Sequence, residues 1–156
     1  MAVFAHALML AVAAFVALAC PPAQAGDIAL LGKWEIVDAA PAPWADDKER
    51  AALIAEGRRL LKMQIAFAAG EVIASHKTLA CKKAQYEPTE YSPDALFQGG
   101  LLEPNQEKVA QSMGFPKGDV PGVDVTCSTG SFSYHFRDKT TALLAFNDVI
   151  YTLKRR

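Results

Sequence analysis

The first 25 residues of the sequence lack charge, because they contain no Asp, Glu, Lys or Arg. The 16 basic and 17 acidic residues of this 156-residue chain therefore all lie in residues 26–156. This remainder has the charged fraction of an ordinary soluble domain and is too apolar to be disordered. The net charge of −1 excludes a nucleic-acid-binding protein that relies on an overall positive charge.

The sequence also lacks the common catalytic and nucleotide-binding motifs G-x-S-x-G, H-E-x-x-H, C-x-x-C-H and G-x-x-x-x-G-K-[ST]. The best catalytic arrangement uses His135 as the base and Asp138 to orient it, with Ser131 or Ser133 as the nucleophile. On a strand, these serines and His135 point away from the alternating aromatic residues, so we expect a solvated polar face without an oxyanion hole. The sequence therefore predicts a protein that is not an enzyme and has no cofactor.

Residues 1–25 are typical of a secretory signal peptide. A nearly unbroken apolar run is followed by Ala23-Gln24-Ala25, which fits an A-x-A cleavage site. Cleavage after Ala25 would place the protein in the periplasm or outside the cell. Two alternatives would tether it to a membrane: the apolar run nearly spans a bilayer, and Leu18-Ala19-Cys20 resembles the end of a bacterial lipoprotein box.

Cysteines are few, and their number predicts a disulfide. If Cys20 leaves with the leader, Cys81 and Cys127 remain, and an even pair in an exported protein most often forms a disulfide. The alternative is a metal site that joins this pair to His76 and His135. Its H-x4-C and C-x7-H spacings match no common zinc pattern, so we predict no metal.

Alternating apolar and polar residues predict short strands at both ends of the mature chain. Trp34 and Ile36 share one face of an early strand, and several strands joined by short turns make up the last third. Between them, residues 93–118 predict a helical excursion, and a second helix is expected from Asp46 to about Glu56. The sequence is therefore predicted to be mainly β. We expect one domain over residues 26–156, an antiparallel meander of about eight strands that forms a barrel or a strongly curled sheet with short helical inserts.

The early Gly32-Lys33-Trp34, followed by a meander that ends in basic residues, resembles the calycin pattern of lipocalins and related small barrels. In those families the tryptophan closes one end of the barrel and packs against a late basic side chain. The resemblance therefore implies a contact between Trp34 and Lys154, Arg155 or Arg156. The chain is also similar, in size, compartment and disulfide, to small exported barrels that inhibit c-type lysozyme.

The aromatic residues of the strands predict a binding function. We expect a lipocalin-like protein that holds a small apolar ligand inside the barrel, although an eight-stranded barrel can also be filled by its own side chains. The alternative is a lysozyme-inhibitor-like module that binds a protein of the cell envelope through the polar face of one strand, at Ser131, Ser133, His135 and Arg137. The expected ligand-binding side chains are Trp34, Phe67, Phe132, Tyr134, Phe136 and Tyr151.

Overall fold

The computed structural model describes residues 28–102 and 104–156, so the predicted leader and Cys20 lie outside the described residues. Nine strands and two short α-helices make up this part of the chain. The helices are α1 Arg50–Arg58 and α2 Gln106–Ser112. The strands are β1 Gly32–Pro41, β2 Gln64–Ala68, β3 Glu71–Ala74, β4 Cys81–Lys82, β5 Gln85–Tyr91, β6 Val120–Cys127, β7 Gly130–Asp138, β8 Thr141–Phe146 and β9 Val149–Arg155.

The nine strands form one antiparallel sheet in the order β4-β3-β2-β1-β9-β8-β7-β6-β5. The sheet is a strongly curled half-barrel, so the predicted mainly β fold is confirmed. Within the described ranges, no helix is both long and apolar enough to cross a membrane.

The curl of the sheet creates a concave core. The rings of Phe67 on β2 and Tyr134 on β7 meet edge to face, with centroids 5.1 Å apart. Three strands separate β2 from β7 in the sheet order, so these rings meet because the sheet curls around them. Apolar side chains that alternate along the strands thus share one interior instead of covering a flat surface.

Three contacts join the two ends of the curled sheet. The predicted disulfide is confirmed, because Cys81 on β4 is bonded to Cys127 on β6, with Cα atoms 5.7 Å apart. The Tyr86 hydroxyl of β5 lies 2.9 and 2.8 Å from the backbone carbonyl oxygens of Ala68 and Glu71, at the β2–β3 turn. The backbone N–H of Ala84 also donates to this turn. These contacts tie the two edges of the half-barrel together at this point.

A tryptophan and an arginine close one end of the half-barrel. Trp34 is wholly buried, and its indole N–H donates to the carbonyl of Leu30 over 2.7 Å. The Arg155 guanidinium lies 4.5 Å from the centroid of the Trp34 ring and donates to the carbonyl of Leu31 over 2.7 Å. Arg155 is thus the basic partner of Trp34, a contact that the resemblance implied, while the calycin relationship itself stays a prediction.

The outer face of the sheet is covered by the chain that connects β5 to β6, residues 92–119, which we call the crossover segment. Its side chains pack on β8 and β9, where Leu143 and Ile150 point outward and are buried. This outer-face cluster is separate from the concave core, so β6, β8 and β9 carry apolar packing on both faces. The crossover segment contributes Leu96, Phe97, Leu101, Ala110 and Phe115.

Candidate functional site

The pairing of β7 with β8 is incomplete. It runs from the turn at Asp138 and Thr141 to Tyr134 and Leu144 and stops there. Beyond that point, the first residues of β7 pair with β6, whereas the end of β8 pairs with β9. The two strands therefore separate at the end opposite their connecting turn, and a cavity of about 290 Å³ opens there. We call this cavity the split groove.

Four parts of the chain line the split groove. β7 contributes residues 131–133 and His135, and the end of β8 with its following turn contributes residues 145–148. The rim is formed by Trp44 and by the crossover segment, at Phe97, Gln98 and Gly100. The lining combines aromatic rings with hydroxyl, amide and carboxylate groups, a mixture that is typical of small-molecule sites.

Hydrogen bonds fix the rim on the side of the β8–β9 turn. The indole N–H of Trp44 donates to Asp148 Oδ1 over 2.8 Å, and the Asn147 side-chain amide donates to Glu56 over 3.3 Å. Asn147 and Asp148 have φ values of 50° and 54°, which fit a two-residue hairpin turn in which both central residues are left-handed. This turn therefore presents the Asp148 carboxylate to Trp44 and to the groove.

His135 lies at the inner end of the split groove and is fully buried. Its Nε2 accepts a hydrogen bond from the backbone N–H of Phe97 over 3.2 Å. The rings of Tyr91 and Phe97 enclose it at centroid distances of 4.4 and 4.7 Å, and Phe115 lies at 6.5 Å. Burial lowers the pKa of His135 to about 4, so the imidazole is neutral near pH 7.

The proton of the neutral imidazole can be placed from this hydrogen bond. Because Nε2 accepts the bond from Phe97, the proton is assigned to Nδ1. Nδ1 is buried and has no hydrogen-bond partner among the described residues. A buried donor without an acceptor is unfavourable and uncommon, so His135 stands out from the other polar groups of the sheet.

Next to His135, Asp124 on β6 accepts hydrogen bonds from two hydroxyl groups. Its Oδ1 accepts hydrogen bonds from the Tyr91 hydroxyl over 2.6 Å and from Ser133 Oγ over 2.5 Å. Burial and the bond to Asp124 raise the pKa of Tyr91 to about 12. Ser133 is therefore bonded to Asp124 and His135 to a backbone amide, so the pair lacks the serine–imidazole bond of a nucleophile and its base.

The sheet admits the Tyr91 ring because the residue opposite His135 is a glycine. Gly122 pairs with His135, and a Cβ atom at this position would lie 2.6 Å from the ring of Tyr91. The ring can thus lie flat against the backbone of β6 and reach His135 from the side of β5.

The six aromatic residues predicted to hold an apolar ligand all lie in the concave core and are at most 9% exposed. They pack against one another and their neighbours, as Trp34 does with Phe136 at a centroid distance of 6.1 Å. Phe132 also lines the split groove, and Tyr151 lines a smaller cavity beside α1. All six therefore lie on the inner face, and their role in ligand binding stays a prediction.

The four residues of the predicted partner-binding face are divided between different surroundings. Ser131 is exposed and Ser133 half-buried, and both line the split groove. His135 is buried rather than solvated, because the crossover segment and Tyr91 cover it. Arg137 is exposed and lies against Gly114 of the crossover segment, beyond His135. The expected uniform polar surface is thus interrupted at its centre.

The groove residues that sequence reasoning missed include Trp44, Phe97, Asn147 and Asp148. Asn147 and Asp148 carried a turn signal but no sign of a site. Trp44 follows a proline-rich stretch, and Phe97 belongs to an irregular segment, so neither takes part in an alternation that could have revealed it. Their positions depend on contacts between distant parts of the chain.

In the part of the chain that the structure describes, no group of three His, Cys, Asp or Glu side chains is placed to hold a metal ion. Comparison with known proteins gave no match to a family model, to a curated protein or to a solved structure. The functional argument therefore rests on the geometry of this chain.

Proposed function

We propose that this protein is a non-enzymatic, exported binding protein, and that the split groove is its ligand site. The observation that carries the proposal is the separation of β7 from β8, which opens an aromatic and polar cavity between two strands that pair along the rest of their length. Strand separation leaves part of the backbone unpaired, which a sheet normally avoids, so a function for the opening is a natural explanation.

The chemistry of the groove favours a small amphipathic molecule. A cavity of about 290 Å³ is near the lower limit of small-molecule sites. Phe132 and Phe146 offer apolar contact, while Ser131 and Asp148 offer a hydroxyl and a carboxylate. We therefore propose a ligand with one apolar part and one hydrogen-bonding part, and we locate it in the groove rather than in the concave core, where the aromatic rings contact one another.

The non-enzymatic assignment is supported by the hydrogen bonds of the polar groups. Ser133 donates to Asp124, and His135 accepts from a backbone amide, so neither is paired with the other. Asp138, which the sequence offered as the orienting carboxylate, accepts instead from Thr140 and Thr141.

Export is supported by the disulfide, since such bonds persist in oxidising compartments. We propose that the chain is cleaved after Ala25. Sequencing of the N-terminus of the protein isolated from its cell should start at Gly26, and thiol counting should find no free cysteine in the unreduced protein. A retained leader or a lipid on Cys20 would contradict release into solution.

Native mass spectrometry of the protein purified from its own cell tests the ligand site. We expect a mass above that of the bare chain, and we expect Ala145→Trp, which places an indole in the groove, to reduce the bound fraction at least about tenfold. Ile73→Trp is the matched control, because Ile73 is 55% exposed on β3 and remote from the groove, and this variant should keep the ligand.

Two outcomes of the same experiment would overturn the proposal. A bare mass for the wild-type protein would remove the evidence for a ligand, and equal retention in both tryptophan variants would place the ligand elsewhere. Capture of an envelope protein by a bare monomer would instead support the second function predicted from the sequence. For that function, Ser131 and Ser133 provide an exposed and a half-buried hydroxyl at the groove.

A further inference from the structure

A left-handed turn of the crossover segment lies directly on His135. Phe97, Gln98 and Gly99 have φ values of 52°, 61° and 78°. Glycine adopts this conformation freely, but a bulky residue such as phenylalanine rarely does and is strained in it. Contacts with the sheet, rather than the preference of its own backbone, therefore hold this turn in place.

One hydrogen bond of the turn depends on the protonation state of His135. The Phe97 N–H donates to Nε2, which can accept only while it carries no proton. An imidazolium has two N–H donors and no acceptor, so protonation would replace this bond by a repulsive contact between two donors. Nδ1 already lacks a partner among the described residues, so the second donor of the imidazolium would be unpaired as well.

The groups around His135 offer little compensation for a positive charge. Tyr91 on β5 and Asp124 on β6 are titratable groups that face it, and the charged Arg137 lies two residues further along the same face of β7. The crossover segment presents Phe97 and Phe115, and β8 presents Leu143. Asp124 favours the charged imidazole, but its Oδ1 is already engaged by the hydroxyls of Tyr91 and Ser133. The unfavourable effect of burial exceeds this attraction, which is why the pKa of His135 is lowered to about 4.

We propose that protonation of His135 releases the left-handed turn Leu96–Gly99 from the sheet and thereby changes the shape of the split groove. Phe97 and Gln98 belong to both the turn and the groove, so movement of the turn alters the groove directly. Release of a bound ligand on acidification is a consequence that rests on the proposed function. The movement itself requires no ligand.

Proton linkage gives the direction and size of the effect. The closed turn holds His135 at a pKa of about 4, whereas an exposed imidazole has the ordinary value of 6.5. The closed state thus binds fewer protons, and its advantage is lost as the pH falls from 6.5 towards 4. The ratio of open to closed turn should rise about tenfold between pH 7.5 and 5.5, and about 70-fold by pH 4.5.

Amide hydrogen exchange of the ligand-free protein tests the proposal. The protection of the Phe97 amide is expressed relative to the exchange rate of an unstructured peptide at the same pH, which corrects for the pH dependence of the exchange chemistry. The Leu144 amide of the central strand β8 should stay more protected than that of Phe97 at each pH, which separates release of the turn from unfolding of the whole protein. We expect the relative protection of Phe97 to fall about tenfold from pH 7.5 to 5.5. His76→Gln is the matched control, since it removes the other histidine of the described residues and should leave this fall unchanged.

The variant His135→Gln supplies the decisive comparison. Its side-chain oxygen can accept the Phe97 N–H at any pH in this range, so the relative protection should become independent of pH. A flat profile in the wild-type protein, or the same fall in His135→Gln, would overturn the proposal. If this variant does not fold, the wild-type imidazole resonance decides. Its midpoint should lie below pH 5.5, and the fall in Phe97 protection should already begin near pH 6.5, above that midpoint. A midpoint near 6.5 without any fall at Phe97 would refute the switch.

The two proposals fail in distinguishable ways. Loss of Phe97 protection on acidification in a protein that carries no ligand at any pH would support the turn release and contradict ligand binding. A ligand retained equally at pH 7.5 and 4.5, together with flat protection of Phe97, would support the site and contradict its control by His135.

Discussion

The two faces of the sheet are held by different kinds of contact. The concave core contains 20 buried residues, drawn from eight of the nine strands and from α1 and the loops, and it is fastened by the disulfide and by Arg155. The outer-face cluster contains nine, mostly from the crossover segment and the outward positions of the central strands. The first is closed by a covalent bond and by a cation that never loses its charge. The second depends on a strained turn and on a neutral histidine.

This difference separates the scaffold from the adjustable part of the molecule. Opening the concave core would require strands to part, whereas the crossover segment can lift locally and leave the ladder of strand hydrogen bonds intact. Segments with few apolar contacts and their own local opening are where proteins most often place binding and switching elements. The split groove lies where these two regions meet, because Phe132 belongs to the core and Phe97 to the outer-face cluster.

A matched pair of phenylalanines should give the largest effect. Phe67 in the concave core and Phe115 in the outer-face cluster are 3% and 4% exposed. We expect Phe67→Ala to lower the free energy of unfolding by about 4 kcal/mol, because the closed sheet cannot collapse around the lost ring. Phe115→Ala should cost about 2 kcal/mol, since the crossover segment can settle towards the sheet. Equal losses in urea denaturation would contradict the comparison.

The concave core could be predicted from the sequence, because it obeys the two-residue period of strands. Trp34, Phe132 and Tyr134 alternate with polar neighbours, and the structure places all three on one buried face. The disulfide followed from the count of cysteines. The start of α1 was placed too early, because Asp46 accepts a bond from the backbone N–H of Lys48 in a local turn and the helix begins at Arg50.

The candidate site could not be predicted in the same way. The period of β7 indicates that His135 faces outward but cannot show what covers that face, and the cover comes from Phe97, 38 residues earlier. The separation of β7 from β8 leaves no mark on the alternation of either strand, since each still pairs with its other neighbour. The position and lining of the site therefore depend on long-range packing of the irregular crossover segment, which the alternation of residues along the strands does not reveal.

Two neighbouring arginines test how the end of the core is fastened. Arg155 lies over Trp34 and donates to the carbonyls of Leu31 and Ala29, so Arg155→Met should cost about 2–3 kcal/mol of unfolding free energy. Arg156→Met is the control, because this side chain forms an exposed ion pair with Glu35, and its loss should leave the urea midpoint unchanged. Similar losses of unfolding free energy for both variants would mean that the contact of Arg155 with Trp34 contributes no more stability than an exposed ion pair.

The pH dependence of global stability should arise mainly from His135, on the outer face of the sheet. His135 has a folded-state pKa of about 4, below its ordinary 6.5, so the folded protein binds fewer protons and loses stability as the pH falls from 6.5 towards 4. Relative to His135→Gln, the wild-type protein should lose about 2 kcal/mol between pH 7.5 and pH 5 in urea denaturation. Asp138, whose pKa is lowered to about 2 by its bonds to Thr140 and Thr141, loses its contribution below about pH 4 and does not interfere. Identical slopes for the two proteins would assign the pH dependence to other groups.

The smallest effect should come from the hydroxyl that links β7 to Asp124. Ser133→Ala removes a partly buried hydrogen bond of 2.5 Å and should lower the free energy of unfolding by about 1 kcal/mol. Thr126→Ala is the control, since its exposed hydroxyl lies 3.5 Å from Ser131 and should contribute little. Ser133→Ala also changes the surroundings of His135. With one donor removed, the Asp124 carboxylate attracts the imidazolium more strongly, so the titration midpoint of His135 should rise. A fall of that midpoint would contradict this expectation and would show that the Ser133 hydroxyl stabilises the imidazolium more than it weakens the attraction of Asp124.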